Sequence, residues 1–87
     1  MPFVVREVQP TPNPNAVKIV LDRTVSAEPL SFRTVDAAEG NSLAGQLMAL
    51  QGVTAVLLLH DFVTLNKSSE ARWADITSKA KRIIAKA

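Results

Sequence analysis

With 87 residues, ten basic and eight acidic side chains, one histidine and no cysteine, the chain has room for one hydrophobic core. The missing cysteines exclude disulfides, thiolate metal sites and thiol catalysis together. Apolar residues make up 47% and charged residues 21%, an ordinary globular composition that argues against disorder.

The segments read in chain order as follows. Phe3 to Val8 carries three valines and a phenylalanine and is expected to form a strand. Gln9-Pro10-Thr11-Pro12-Asn13-Pro14-Asn15 has proline at alternate positions, which removes amide donors and holds the chain extended. The asparagines can close turns on their own backbone, so this stretch reads as a rigid connector. Val17, Ile19 and Leu21 alternate with polar or smaller neighbours, the mark of a half-buried strand. Arg23 to Leu30 is polar and contains Pro29, and is read as a loop. Ser31 to Thr34 is a candidate short edge strand.

Asn41 or Ser42 caps a predicted helix with Leu43, Leu47 and Leu50 on one stripe, flanked by Ala44 and Met48. Gly45 inside it predicts close packing against a neighbour, and Gly52 falls where a left-handed terminating residue belongs. Val53 to Leu59 is a strand, His60-Asp61 a tight turn, and Phe62 to Lys67 the antiparallel partner. Ser68 or Ser69 caps the last helix, with Glu70 in its first turn and Trp73, Ile76, Ala80, Ile83 and Ile84 as its apolar stripe. Lys79, Lys81, Arg82 and Lys86 crowd its C-terminal end, where the helix dipole favours cations.

The order β-β-(β)-α-β-β-α implies an α+β two-layer open sandwich. Four to five strands form a mixed or antiparallel sheet, with both helices on one face. A single domain over residues 1–87 is expected. The N-terminus has no basic lead and no small-residue cleavage site after an apolar stretch, so no signal peptide is expected, and the cytoplasm is the expected location. The longest apolar run, Val53 to Leu59 broken once by Thr54, is far short of the ~20 residues a membrane span needs, so no membrane association is expected.

Chemistry is sparse. His60 and Asp61 sit in the turn, with Thr64 and Ser68 as the nearby hydroxyls, too few parts for a nucleophile-base pair with its orienting group. One histidine and scattered carboxylates supply no metal-ligand set, and the three glycines lie too far apart to cradle a phosphate. No enzyme activity, cofactor or metal site is expected. The two apolar sets of strand 53–59 point to opposite sides: Ala55, Leu57 and Leu59 on one, Val56 and Leu58 on the other. With helices on one face only, one set looks outward, and Val56 and Leu58 are the candidates for an exposed binding patch.

Several of these segments resemble one family. Thr11-Pro12-Asn13-Pro14-Asn15-Ala16-Val17-Lys18 resembles the Thr-Pro-Asn-Pro-Asn-x-x-Lys opening of the Nfu/NifU-type scaffold N-terminal domain. Ser42-Leu43-Ala44, with Leu47, Leu50 and Gly52-Val53, looks like its first helix and following turn. Asp61-Phe62-Val63-Thr64-Leu65-Asn66-Lys67 followed by Trp73 is similar to its closing block. The resemblance implies an α+β fold and a role beside iron-sulfur cluster assembly and delivery. In full-length members a Cys-x-x-Cys pair in a separate C-terminal domain holds the cluster. A chain without cysteine is then expected to be a stand-alone accessory copy that binds no cluster and contacts an iron-sulfur assembly protein or a separate Cys-x-x-Cys domain. Pro12, Asn13, Pro14, Asn15, Asp61, Phe62 and Trp73 are signature positions read as structural, with Phe62 in the core and Asp61 closing a turn. Lys67 is a candidate partner contact. The alternative reading is a small nucleic-acid or ribonucleoprotein binder using the basic C-terminal helix. That reading is the weaker one, because only a few cations are clustered there.

Overall fold

Strands of alternating hydrophobicity need a second layer on one side only, and the two amphipathic helices supply it. The computed structural model describes residues 3–86. Its elements are β1 (Val5–Pro10), β2 (Ala16–Leu21), β3 (Ser26–Phe32), α1 (Ser42–Met48), β4 (Val53–His60), β5 (Phe62–Lys67) and α2 (Trp73–Lys86). The strands form one five-stranded sheet in the order β1-β2-β5-β4-β3. Every adjacent pair is antiparallel. The expected α+β open sandwich is therefore present, with five strands.

Register fixes which side is the core. Val17 lies opposite Leu65 and Ile19 opposite Val63, while Val63 and Leu65 lie opposite Leu58 and Val56. All of these are buried, together with Leu21. The helices close over them with Leu43, Ala44, Leu47 and Met48 from α1 and Ile76, Ala80 and Ile84 from α2. Each fully buried Leu, Ile or Val contributes about 1.5–3 kcal/mol relative to exposure, so this central row dominates the stability.

The caps and turns follow from side-chain chemistry. Asn41 is extended (φ −127°) and its Oδ1 accepts from Ala44 N at 3.0 Å, the N-cap bond expected of asparagine. A Cβ on Gly45 would lie 3.3 Å from the Ala38 carbonyl oxygen, the close approach its glycine allows. The β4–β5 hairpin turns at His60, whose φ of +50° is the left-handed region, tolerated by His more readily than by β-branched residues. The turn is also stitched sideways. Leu21 N donates to Asp61 O and Val25 N to His60 O, both at 2.6 Å.

Two assignments from sequence need correction. Residues 26–30 are not loop but the first part of β3, which runs to Phe32 along the β4 edge with an irregularity between Ser26 and Leu30. Edge pairing on one side tolerates Pro29, which no central strand would accept. The last helix begins at Trp73, not after Ser68 or Ser69. Ala71 N donates to Ser68 O in a turn, and the acidic residue of the first helical turn is Asp75 rather than Glu70.

Asp22 ties the first described residues to the end of β2. Its Oδ1 accepts from Val4 N at 2.9 Å, and its own N donates to Val4 O at 3.0 Å. The Val4 hydrogen bond, opposed by desolvation and helped by the Arg23 and Arg6 charges, holds its carboxyl below the ordinary value of 3.8. A folded-state pKa below the unfolded one means the stabilisation is complete above the unfolded value and is lost as pH falls through the folded one. The Val4 amide resonance is expected to titrate with a midpoint below 3.8, and Asp22→Asn to abolish that titration. A midpoint at or above the ordinary value would contradict the link.

Candidate functional site

Asn13, Pro14, Asn15 and Trp73 of the signature converge with Thr11 and Lys67 on one corner. Thr11 Oγ1 shares its proton between the carbonyls of Asn13 and Ala16 (2.9 and 3.0 Å) and accepts from Asn13 N. Asn13 Oδ1 accepts from Asn15 N at 2.9 Å, the Asx turn that asparagine favours. From the far end of β5, Lys67 N donates to Asn15 O, and Lys67 Nζ donates to Asn15 Oδ1 at 3.1 Å and Ser68 O at 3.3 Å. Trp73 Nε1 donates to Pro14 O at 2.9 Å, and the Lys67 ammonium lies 5.6 Å from the Trp73 ring centroid. Groups separated by 52 and 59 positions in sequence thus satisfy one another.

This corner is a clasp that fixes the β1–β2 connector to the start of α2. Lys67, a candidate partner contact from sequence, has its ammonium engaged in the clasp. Trp73 packs part-buried against the core as its helical spacing indicates. Trp73→Phe keeps the ring but removes the indole donor and leaves Pro14 O without it. The expected cost is about 1 kcal/mol, or a Tm lower by about 4–8 °C, read by urea and thermal unfolding. An unchanged Tm would show that the Trp73 bond does not hold the connector.

The second site is the sheet face opposite the helices. It carries three rows read across the strands: Glu7, Val20, Phe62 and Leu59; Gln9, Lys18, Thr64, Leu57 and Ser31; Ala16, Asn66 and Ala55. Val20, Phe62, Leu57, Leu59 and Ala55 are half-buried with no helix over them. The Lys18 ammonium lies 4.3 Å from the Phe62 ring centroid.

Here the sequence-based choice of patch is overturned. Val56 and Leu58 are each 1% exposed and sit in the core, so they cannot form a contact surface. Their cross-strand partners Leu65 and Val63 face the helices, and the outward set is Ala55, Leu57 and Leu59. Phe62 was likewise expected in the core but lies on the uncovered face beneath Lys18. Asp61 occupies the turn position assigned to it and is exposed. The signal that separates the faces is polar: Lys18, Thr64 and Asn66 mark the outward side of β2 and β5, and antiparallel register carries that marking onto β4.

Among the described residues no reactive constellation assembles elsewhere. His60 is exposed in the hairpin turn. Among the described residues no group of three His, Cys, Asp or Glu is placed to hold a metal ion, and no helix is long and apolar enough to cross a membrane. Lys79, Lys81, Arg82 and Lys86 are all exposed on α2. Residues 79, 82 and 86 share one stripe at helical spacing, but Asp75 lies on the same stripe and Lys81 does not.

The comparisons with known proteins agree with this geometry. The model of the family described as "Scaffold protein Nfu/NifU N terminal" matches residues 5–87. The human mitochondrial NFU1 iron-sulfur cluster scaffold homolog is 37% identical over 65 residues, covering 74% of this chain and 26% of that protein. Conserved virulence factor C of Staphylococcus aureus strain MRSA252 is 32% identical over 76 residues, 85% of this chain and 20% of that protein. The chain thus spans about a fifth to a quarter of the length of these curated relatives. The crystal structure of protein SAV1430 from Staphylococcus aureus has the same fold, with a TM-score of 0.80 at 21% identity, covering 92% of this chain and 96% of that one. The matched family model, which spans residues 5–87, shows that the chain belongs to the Nfu/NifU scaffold protein N-terminal family.

Proposed function

We propose that this domain is a non-enzymatic interaction module of iron-sulfur cluster assembly or delivery, working in the cytoplasm and holding no cluster itself. The observation that carries this reading is the uncovered sheet face. Leu57, Leu59, Val20 and Phe62 stand half-buried there without a second layer, an apolar surface of the kind that marks protein contacts. The signature residues Asn13, Pro14, Asn15 and Trp73, by contrast, are engaged in the clasp and support the fold. The cluster is cargo held by thiolates, and this sequence has no cysteine to offer. The matching protein is then a cluster-bearing Cys-x-x-Cys scaffold domain of the same family.

Isothermal titration calorimetry of the domain against such a cluster-loaded scaffold domain tests the reading. Binding is expected for the wild type and a loss of at least about tenfold for Leu59→Asp, a single charged disruption of an apolar contact. No measurable binding by the wild type, or equal binding by a folded Leu59→Asp variant, would contradict it.

A further inference from the structure

The uncovered face is not uniformly apolar. At its β4 side lies a shallow hollow of about 400 Å³ lined by Ser31, Arg33, Thr54, Ala55, Leu57, Thr64 and Asn66, with part of Val56 at its base. None of these is acidic. Lys18 stands beside it, directly across from Thr64. Neither Lys18 nor Arg33 has a hydrogen-bonding acceptor among the described residues. Glu7, the acidic residue on this face, lies in the outer row, where its Oε2 accepts from Gln9 Nε2. The hollow therefore presents two cations and a set of hydroxyl and amide groups around a small apolar floor, with no anion of its own.

From these features we infer that the hollow receives an acidic segment of a partner protein, lying extended across the strands. The spacing supports this occupant. Lys18 on β2 and Arg33, just past the end of β3, are three inter-strand steps of about 4.8 Å apart across the sheet and one row apart along it, or about 16 Å in all. In an extended chain, side chains on one face recur about every 6.8 Å, so carboxylates at i and i+4 span about 14 Å. The long Lys18 and Arg33 side chains close the remaining difference of about 2 Å, and the residue at i+2 falls among Thr64, Asn66, Leu57 and Ala55 and is best apolar. Arg33 offers a planar fork suited to a carboxylate, and Lys18, already stacked on Phe62, offers a point charge. The α2 cations lack these features: Lys79 lines a separate hollow that already holds Glu70 and Asp75, and Arg82 and Lys86 are exposed further along the same stripe.

This assignment rests on the uncovered face being the partner face, and it names the chemistry of that partner. The test is amide chemical-shift mapping of the labelled domain with the peptide acetyl-Thr-Glu-Thr-Leu-Thr-Glu-Thr-amide. Its control has both Glu replaced by Gln, and inorganic phosphate and a single-stranded oligouridine are titrated separately. Shifts centred on Ala55, Leu57, Thr64 and Asn66 are expected, with affinity at least about fivefold above the Gln control. The Lys18→Gln/Arg33→Gln double variant, changed at one half-buried and one exposed position outside the core and expected to fold, should lose that difference. Equal binding of the Gln peptide, shifts centred on Lys79, Arg82 and Lys86, or equal or tighter occupation of the same residues by phosphate or oligouridine would overturn the assignment. If the scaffold domain binds and the Glu peptide does not, the acidic occupant fails while the interaction module stands. If the Glu peptide binds and the scaffold domain does not, the iron-sulfur reading fails alone.

Discussion

Leu58→Asp is expected to unfold the domain, while Leu57→Asp, one residue away, is expected to leave it folded. Leu58 is 1% exposed and packs beside Val63 on the helix-covered face, so the variant buries a carboxylate with no partner. An uncompensated buried charge costs about 3–5 kcal/mol, and the lost leucine packing adds to it. A small domain has a total stability near the lower end of about 5–15 kcal/mol, so little or no folded population should remain. Leu57 points to the other face and lies opposite Thr64, where an aspartate side chain reaches water. Circular dichroism and urea unfolding read both results. A cooperative transition for Leu58→Asp near that of the wild type would mean that the helices do not cover this side of the sheet.

Gly52→Ala is expected to destabilise the domain by about 2–5 kcal/mol through two separate causes. The residue has φ of +94°, a conformation that costs a residue with a Cβ about 1–2 kcal/mol. Its Cβ would also lie 2.6 Å from the Ala71 Cβ, well inside contact distance, and overpacking of this kind costs about 1–3 kcal/mol. The position cannot relax freely, because Ser68 N donates to Gly52 O at 2.8 Å and binds the turn before α2 to the end of the α1 connection. Ala71→Gly in the Gly52→Ala background should recover the steric part and leave the backbone part. Urea unfolding of the two single variants and the double variant separates them. Full recovery in the double variant would show that backbone strain contributes nothing.

The parts of this fold that were legible in the sequence are those where local pattern and tertiary demand coincide. Alternation in Val17-Lys18-Ile19-Val20-Leu21, asparagine before the α1 stripe and the apolar spacing of α2 each predicted an element that is present. β3 was legible only at its end. As an edge strand it is held by β4 on one side, so its first residues, Ser26-Ala27-Glu28-Pro29, need no strand propensity of their own. The orientation of β4 was hidden because both of its alternating sets are apolar, and only pairing with β5 decides between them. The clasp was hidden for a different reason. Asn15, Lys67 and Trp73 look like independent surface or core residues until the fold places them side by side. Within the candidate site, Leu57 and Leu59 were visible as one of two sets, whereas Arg33 and Lys18 carried no local sign that they flank a common hollow.

The central claim is that the sheet face opposite the helices is where a partner sits. The most direct test is amide chemical-shift mapping of the labelled domain titrated with the cluster-loaded Cys-x-x-Cys scaffold domain. Shifts are expected to concentrate on Lys18, Val20, Ala55, Leu57, Leu59, Phe62 and Thr64, with the α1 and α2 amides largely unmoved. Shifts concentrated on α2, or on the clasp around Asn15 and Lys67, would contradict it.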